Sequence, residues 1–133
     1  MTRASPERDF QRSLVKHLET AFGPRVFWTH FPNGTFRGKG KQGAIRGAQL
    51  KALGVKSGCP DILIIFDGKA HWLELKAGRN SESDAQLDTI YDLKIAGSPT
   101  ATVRTLAEAF HAIDSWSIPT RLVLSQPAKR SAA

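Results

Sequence analysis

The chain is 133 residues long, enough to bury one core without disulfides or metal staples, and its 41% hydrophobic and 23% charged residues are those of an ordinary globular domain. Its 19 Lys and Arg against 12 Asp and Glu leave a formal charge of +7, which points to an acidic partner, nucleic acid first and an anionic membrane surface second. No apolar run is long enough to span a bilayer, MTRASPERDFQ at the N-terminus carries no signal-peptide core, and the single cysteine, Cys59, excludes an internal disulfide and argues against a cysteine-based zinc site, so a cytoplasmic setting is expected.

Ser5-Pro6-Glu7 reads as a helix start, with Ser as cap and Pro in the first turn. Phe10, Leu14, Leu18 and Phe22 then recur at helical spacing beside Val15, and Gly23-Pro24 ends the helix. RVFWTHF, Arg25 to Phe31, is rich in β-formers and reads as a strand, broken by Pro32-Asn33-Gly34. From Gly34 to Gly58 the character changes. Arg37, Lys39, Lys41, Arg46, Lys51 and Lys56 are basic, and no acid occurs between Glu19 and Asp61. Glycines at 34, 38, 40, 43 and 47 predict a loop over the first half of this stretch, and AQLKALG, Ala48 to Gly54, predicts a short helix closed by its glycine.

Two strands follow, joined by Asp67-Gly68, the strongest hairpin signal in the chain. Ile62 to Phe66 is apolar at every position, which predicts a central strand covered on both faces. Ser83-Asp84-Ala85-Gln86 has the form of a capping box and opens a helix to about Ala96, ended by Gly97-Ser98-Pro99. Thr100 to Arg104 reads as a strand. Thr105-Leu106-Ala107-Glu108 is a second capping box, opening a helix through about Trp116. Residues 1–118 thus read as one domain and 119–133 as a tail, with Arg121–Ser125 a candidate strand before a polar end expected to fray. The order α-β-(α)-β-β-α-β-α is that of an α/β layered domain.

The hairpin carries the chemistry. With Asp67 and Gly68 as the turn, Phe66 faces Lys69, Leu63 faces Trp72 and Asp61 faces Glu74. Facing residues have Cβ atoms about 4.5–5.5 Å apart, and two buried carboxylates at that range need a raised pKa or a cation. Lys76, two residues past Glu74, projects from the same face. Carboxylate oxygens suit a hard divalent ion, Mg²⁺ or Mn²⁺, which can polarise a phosphoryl oxygen. The lysine can hold the attacking water or stabilise charge growing on phosphorus. With the basic surface, this describes phosphodiester hydrolysis. The plainer reading is a solvated Glu/Lys pair on a strand, since Glu-x-Lys triplets and Pro-Asp pairs are common by chance. The joint pattern, set in register by an independent turn signal, favours the metal site.

Pro60-Asp61 followed by Glu74-Leu75-Lys76 resembles the PD-(D/E)XK nuclease superfamily. The closer match resembles its VRR-NUC (virus-type replication-repair nuclease) family, through Glu7 and Gln11, Gly58-Cys59-Pro60-Asp61, Glu74-Leu75-Lys76, Gln86, and Gly97 to Thr105, over about residues 5 to 116. The resemblance implies a restriction-endonuclease-like core, a mixed central sheet flanked by helices. It implies that Asp61 and Glu74 bind the metal with the backbone carbonyl of Leu75, and that Lys76 positions the attacking water. It further implies that Glu7 reaches the site as an added ligand or through a metal-bound water, and that Gln86 touches the same pocket.

Each supporting residue also has a plainer role. Glu7 in a first helical turn favours the macrodipole, and Gln86 fits the N3 place of a capping box. His30, beside the break at Pro32-Asn33, reads as structural, with phosphate contact the rival. His17, His71 and His111 do not cluster by spacing, so no His-based zinc site is expected. Cys59 reads as a small buried filler. Trp72 shares the face of Glu74 and Lys76, as a core aromatic or a pocket floor. Arg37, Lys39, Lys41, Arg46, Lys51 and Lys56 are the best candidates for gripping DNA phosphates, without interleaved aromatics for base reading beyond Phe36. The reading is a Mg²⁺- or Mn²⁺-dependent DNA endonuclease. By the resemblance it selects DNA structure (junctions, flaps, branches) and forms a homodimer. The rivals are a non-catalytic DNA-binding module that keeps the fold, and an enzyme that acts on RNA or nicks within a larger machine.

Overall fold

The computed structural model describes residues 5–32 and 40–121. Its elements run α1 (Pro6–Ala21), β1 (Val26–His30), α2 (Gly40–Ala52), β2 (Ile62–Phe66), β3 (Lys69–Leu75), α3 (Asp84–Ile95), β4 (Thr100–Val103) and α4 (Leu106–Ser115). The candidate strand at 121–125 falls outside the described residues beyond Arg121. Among the described residues, no helix is long and apolar enough to cross a membrane.

The local signals act as their chemistry requires. Ser5 caps α1, its hydroxyl accepting from the Arg8 N–H, and Pro6 needs no acceptor in the first turn. Ser83 and Gln86 form a reciprocal capping box on α3. The second expected box closes on one side only. Thr105 accepts from the Glu108 N–H, but the Glu108 carboxylate takes the Arg104 N–H at 2.7 Å, one residue before the cap.

The strands form one mixed sheet in the order β1-β2-β3-β4, with β3 and β4 parallel and the other neighbours antiparallel. Leu14 and Leu18 of α1 and Ala109 and Ile113 of α4 pack against Ile62, Ile64, Leu73, Leu75 and Val103, all buried, and this is the core. The opposite face carries Leu63, Trp72 and Glu74, which alternate with the core residues. Helix α3 lies over its β4 side.

Two expectations are corrected. Strand β2 is covered fully on one face only: Ile62 and Ile64 are buried, whereas Leu63 and Ile65 are half-buried. Cover is missing because α3 sits toward β4, leaving the β1 side open, where Phe27, the partner of Ile65, is 60% exposed. Helix α2 begins at Gly40, not Ala48. Glycines in a helix cost about 1 kcal/mol each relative to Ala. Here Gly43, Gly47 and Leu50 are the half-buried positions of α2, on one side of the helix.

Candidate active site

The geometry of the site starts at the turn. Asp67 and Gly68 both have positive φ, 53° and 74°, as a primed two-residue turn demands. The expected pairs form, Phe66 with Lys69 and Leu63 with Trp72, and the last rung is Ile62 with Leu73. One step on, where Asp61 would face Glu74, a side chain takes over from the ladder. The Leu75 N–H donates to Asp61 Oδ2 at 2.8 Å, while the Asp61 carbonyl accepts the Phe31 N–H at 2.7 Å.

Glu74 is 1% exposed and Lys76 8%. Lys76 Nζ lies 3.4 Å from Glu74 Oε2. Gln86 ties the two together: its Nε2 donates to Glu74 Oε2 at 2.8 Å and its Oε1 accepts from Lys76 Nζ at 3.0 Å. The same Oε1 accepts the Ser83 N–H at 2.8 Å. The capping role and the pocket contact therefore coexist in one side chain, and the start of α3 is bolted to the charged end of β3.

Glu74 Oε1 is buried with no hydrogen-bond donor from any other residue against it, while the Asp61 and Glu74 carboxyls are close enough to share a proton. Burial pushes the Glu74 carboxyl up to about 8, and the neighbouring Asp61 charge adds to this while Lys76 opposes it. Burial also raises Asp61, partly offset by the Leu75 N–H and by the charges of His30 and Lys76. Two carboxyls in this condition hold a proton that a bound cation would displace. An unengaged buried carboxylate oxygen beside a second carboxylate fits a hard divalent ion and an all-oxygen donor set.

Among the described residues, no three His, Cys, Asp or Glu side chains converge closely enough to hold an ion by themselves. Glu7 is accordingly not assembled with Asp61 and Glu74. From the half-exposed first turn of α1 its charge is felt at Glu74, and it lines a cleft of about 410 Å³ between that turn and Ala77–Asn80. Trp72, 8% exposed, meets Phe31 edge-on at 5.3 Å on the site face.

Of the candidate DNA contacts, Arg37 and Lys39 lie outside the described residues. Lys41, Arg46 and Lys51 are exposed on α2 and Lys56 is exposed beyond it. Steps of five residues turn about 140° around a helix, so the three helical cations point to different sides rather than forming one stripe.

Four features escaped sequence reasoning. Thr102 is paired with Glu74 and donates to Glu82 Oε2, bringing a further carboxylate to the site's rim. Burdened by few neighbours, Glu82 is held below the usual carboxylate range by that hydrogen bond. Arg104 Nη1 donates to the Gly78 carbonyl at 3.0 Å, clamping the turn after Lys76. Gly58 has φ +80° and stands where a Cβ would come within 2.4 Å of the Ala85 carbonyl oxygen, while Thr89 Oγ1 donates to the Ser57 carbonyl at 2.8 Å. The chain leading into Asp61 is thereby pressed against the first turns of α3. Gly58 and Arg104 stood inside the matched motifs, but only the tertiary contacts assign them work.

A solved structure described as a VRR_NUC domain protein matches this chain with a TM-score of 0.63 at 17% identity, over 86% of this chain and 90% of that one. No family model and no curated protein matches the chain. The likeness establishes the fold alone: the chain shares the architecture of that VRR_NUC domain protein, an α/β domain with a mixed four-stranded sheet flanked by helices.

Proposed function

We propose that the chain is a metal-dependent DNA endonuclease, selective for branched, flapped or junction DNA, with Asp61, Glu74 and Lys76 as its catalytic residues. One observation carries the reading: a fully buried Glu74, electrostatically coupled to Asp61, engages Gln86 and Lys76 through Oε2 alone and leaves Oε1 without a hydrogen-bond donor. A structural carboxylate so deep would be expected to spend both oxygens on hydrogen bonds. Asp61, Glu74 and the Leu75 carbonyl would hold Mg²⁺ or Mn²⁺, with Glu7 reaching it at one remove. The ion would supply Lewis-acid stabilisation of charge on the phosphodiester.

The protein's own groups do the rest. Lys76 stands over the carboxylate pair as a fixed cation, able to orient the attacking water and to stabilise the charge developing on phosphate oxygens. Gln86 keeps that ammonium and Glu74 at a set separation. Lys41, Arg46, Lys51 and Lys56, with Arg37 and Lys39, grip the sugar-phosphate backbone and carry no sequence information. A homodimer would present two such sites to two strands. Leu87, Tyr91 and Ile95, at i, i+4 and i+8 on α3 and 50%, 64% and 70% exposed, form one apolar stripe among the described residues that is open to it.

The test incubates the protein with linear duplex, single-stranded, flap and four-way-junction DNA, and with RNA, in Mg²⁺, Mn²⁺ or EDTA, beside Asp61→Ala and Lys76→Ala. Metal-dependent cleavage lost in both variants is expected. Binding without cleavage under every metal would leave the DNA-binding module instead. Sedimentation of the wild type and Tyr91→Asp decides the dimer.

A further inference from the structure

We propose that His30 is a positioning residue that holds Asp61 by its main chain; this rests on the reading of Asp61 as a catalytic carboxylate. His30 is paired with Ile62, so its side chain belongs to the core face of the sheet and not to the face bearing Trp72 and Glu74. That placement sets it behind Asp61. Its Nδ1 lies 2.9 Å from the Asp61 carbonyl oxygen. A carbonyl can only accept, so Nδ1 carries the proton, and a neutral ring is fixed as the Nδ1–H tautomer.

The same carbonyl receives the Phe31 N–H at 2.7 Å. Two consecutive residues at the end of β1 thus donate to one oxygen, at the residue where the β2–β3 ladder has just stopped. Pro32 follows without an N–H, so β1 has no later donor to offer there. Asp61 is pinned from one side by its carbonyl to β1 and from the other by its carboxylate to the Leu75 N–H. Removing the imidazole leaves one of the two β1 donors and lets the carboxylate swing about its remaining bond. Supporting groups of this kind at metal sites are worth about 10- to 100-fold in metal affinity or activity.

Asparagine places an amide nitrogen near the position of Nδ1, and glutamine near that of Nε2, so the two variants separate the ring's nitrogens. His30→Asn is expected to keep kcat within about threefold. His30→Gln and His30→Ala are expected to lose about 10- to 100-fold in kcat and in Mn²⁺ affinity measured calorimetrically, with KM for DNA unchanged. Imidazole ¹⁵N shifts of the wild type should report the Nδ1–H tautomer, without any turnover. An Nε2–H tautomer, an asparagine variant as impaired as the alanine one, or wild-type kcat in His30→Ala would each overturn the proposal. A wild type that cleaves nothing in any metal would sink the nuclease reading, and the tautomer would still decide the contact to Asp61.

Discussion

The β2–β3 hairpin and helix α2 are both built around charge, and they treat it in opposite ways. In the hairpin, the six residues His71–Lys76 are all buried, and the charges among them are fixed by named partners: Glu74 by Gln86, Lys76 by Gln86 and Glu74, and Asp61 beside them by Leu75. None of the 13 residues of α2 is buried, and its cations stand in water. Buried charge is costly and strongly coupled, so it persists in a fold for what its geometry can do. Exposed charge is cheap and screened by salt, suiting it to collecting a long polyanion without demanding a register. On the proposed reading, the hairpin would do the chemistry and α2 would supply the grip.

The comparison breaks first at Lys76. Lys76→Ala and Asp61→Ala should lower cleavage by about 100- to 1000-fold, the scale of losing one preorganised electrostatic group, with binding by gel shift kept. Equal cleavage by Lys76→Ala would remove the hairpin from the chemistry. Next in size is Gly58→Ala, which forces a Cβ to within 2.4 Å of the Ala85 carbonyl oxygen at φ +80°. A cost of about 3 kcal/mol is expected in urea unfolding; an unchanged midpoint would mean that the approach to α3 is loose.

Gln86→Ala should cost about 1 kcal/mol through the lost half of the capping box, and more in turnover than in stability, since it also frees Glu74 and Lys76. A smaller signal is the pH dependence of stability. Glu74 has its folded pKa raised to about 8 from an ordinary 4.5, chiefly by burial. The folded state therefore holds the proton more tightly than the unfolded one. Its contribution is complete below about pH 4.5 and is lost as pH rises to about 8; Asp61 is shifted in the same sense. Unfolding midpoints measured between about pH 5 and pH 9 should fall, Glu74→Gln should flatten the fall, and Mn²⁺ should restore stability at the alkaline end. The smallest effect belongs to α2. Each of Lys41→Ala, Arg46→Ala and Lys51→Ala should reduce the salt slope of DNA binding by about 0.9 at most while leaving kcat at saturating DNA unchanged. A large kcat loss there would erase the division between chemistry and grip.

Much of this division was legible in the residues. Asp67-Gly68 fixes a two-residue turn through its backbone conformation, and side chains alternate with period two, so the register and the nearness of Asp61 to Glu74 followed from counting. Ser5 and Ser83 announced their helices by capping chemistry that acts over three residues. The start of α2 was not legible, because Gly43 and Gly47, with their low helix propensity, read as loop although the helix runs through them. Nor was the open half of β2, since an apolar run does not say where the covering helix lies.

Local chemistry along the chain, acting over a few residues, determined the elements, the hairpin register and the identity of the charged trio. Only the tertiary structure decided the rest. It left Glu7 outside a three-acid cluster. It brought Gln86 from α3 between Glu74 and Lys76, pressed Gly58 against Ala85, and turned His30 to the Asp61 carbonyl. Those contacts join residues 10 to 31 positions apart in the chain, and their distances are fixed by how helices and strands pack rather than by what any short stretch prefers.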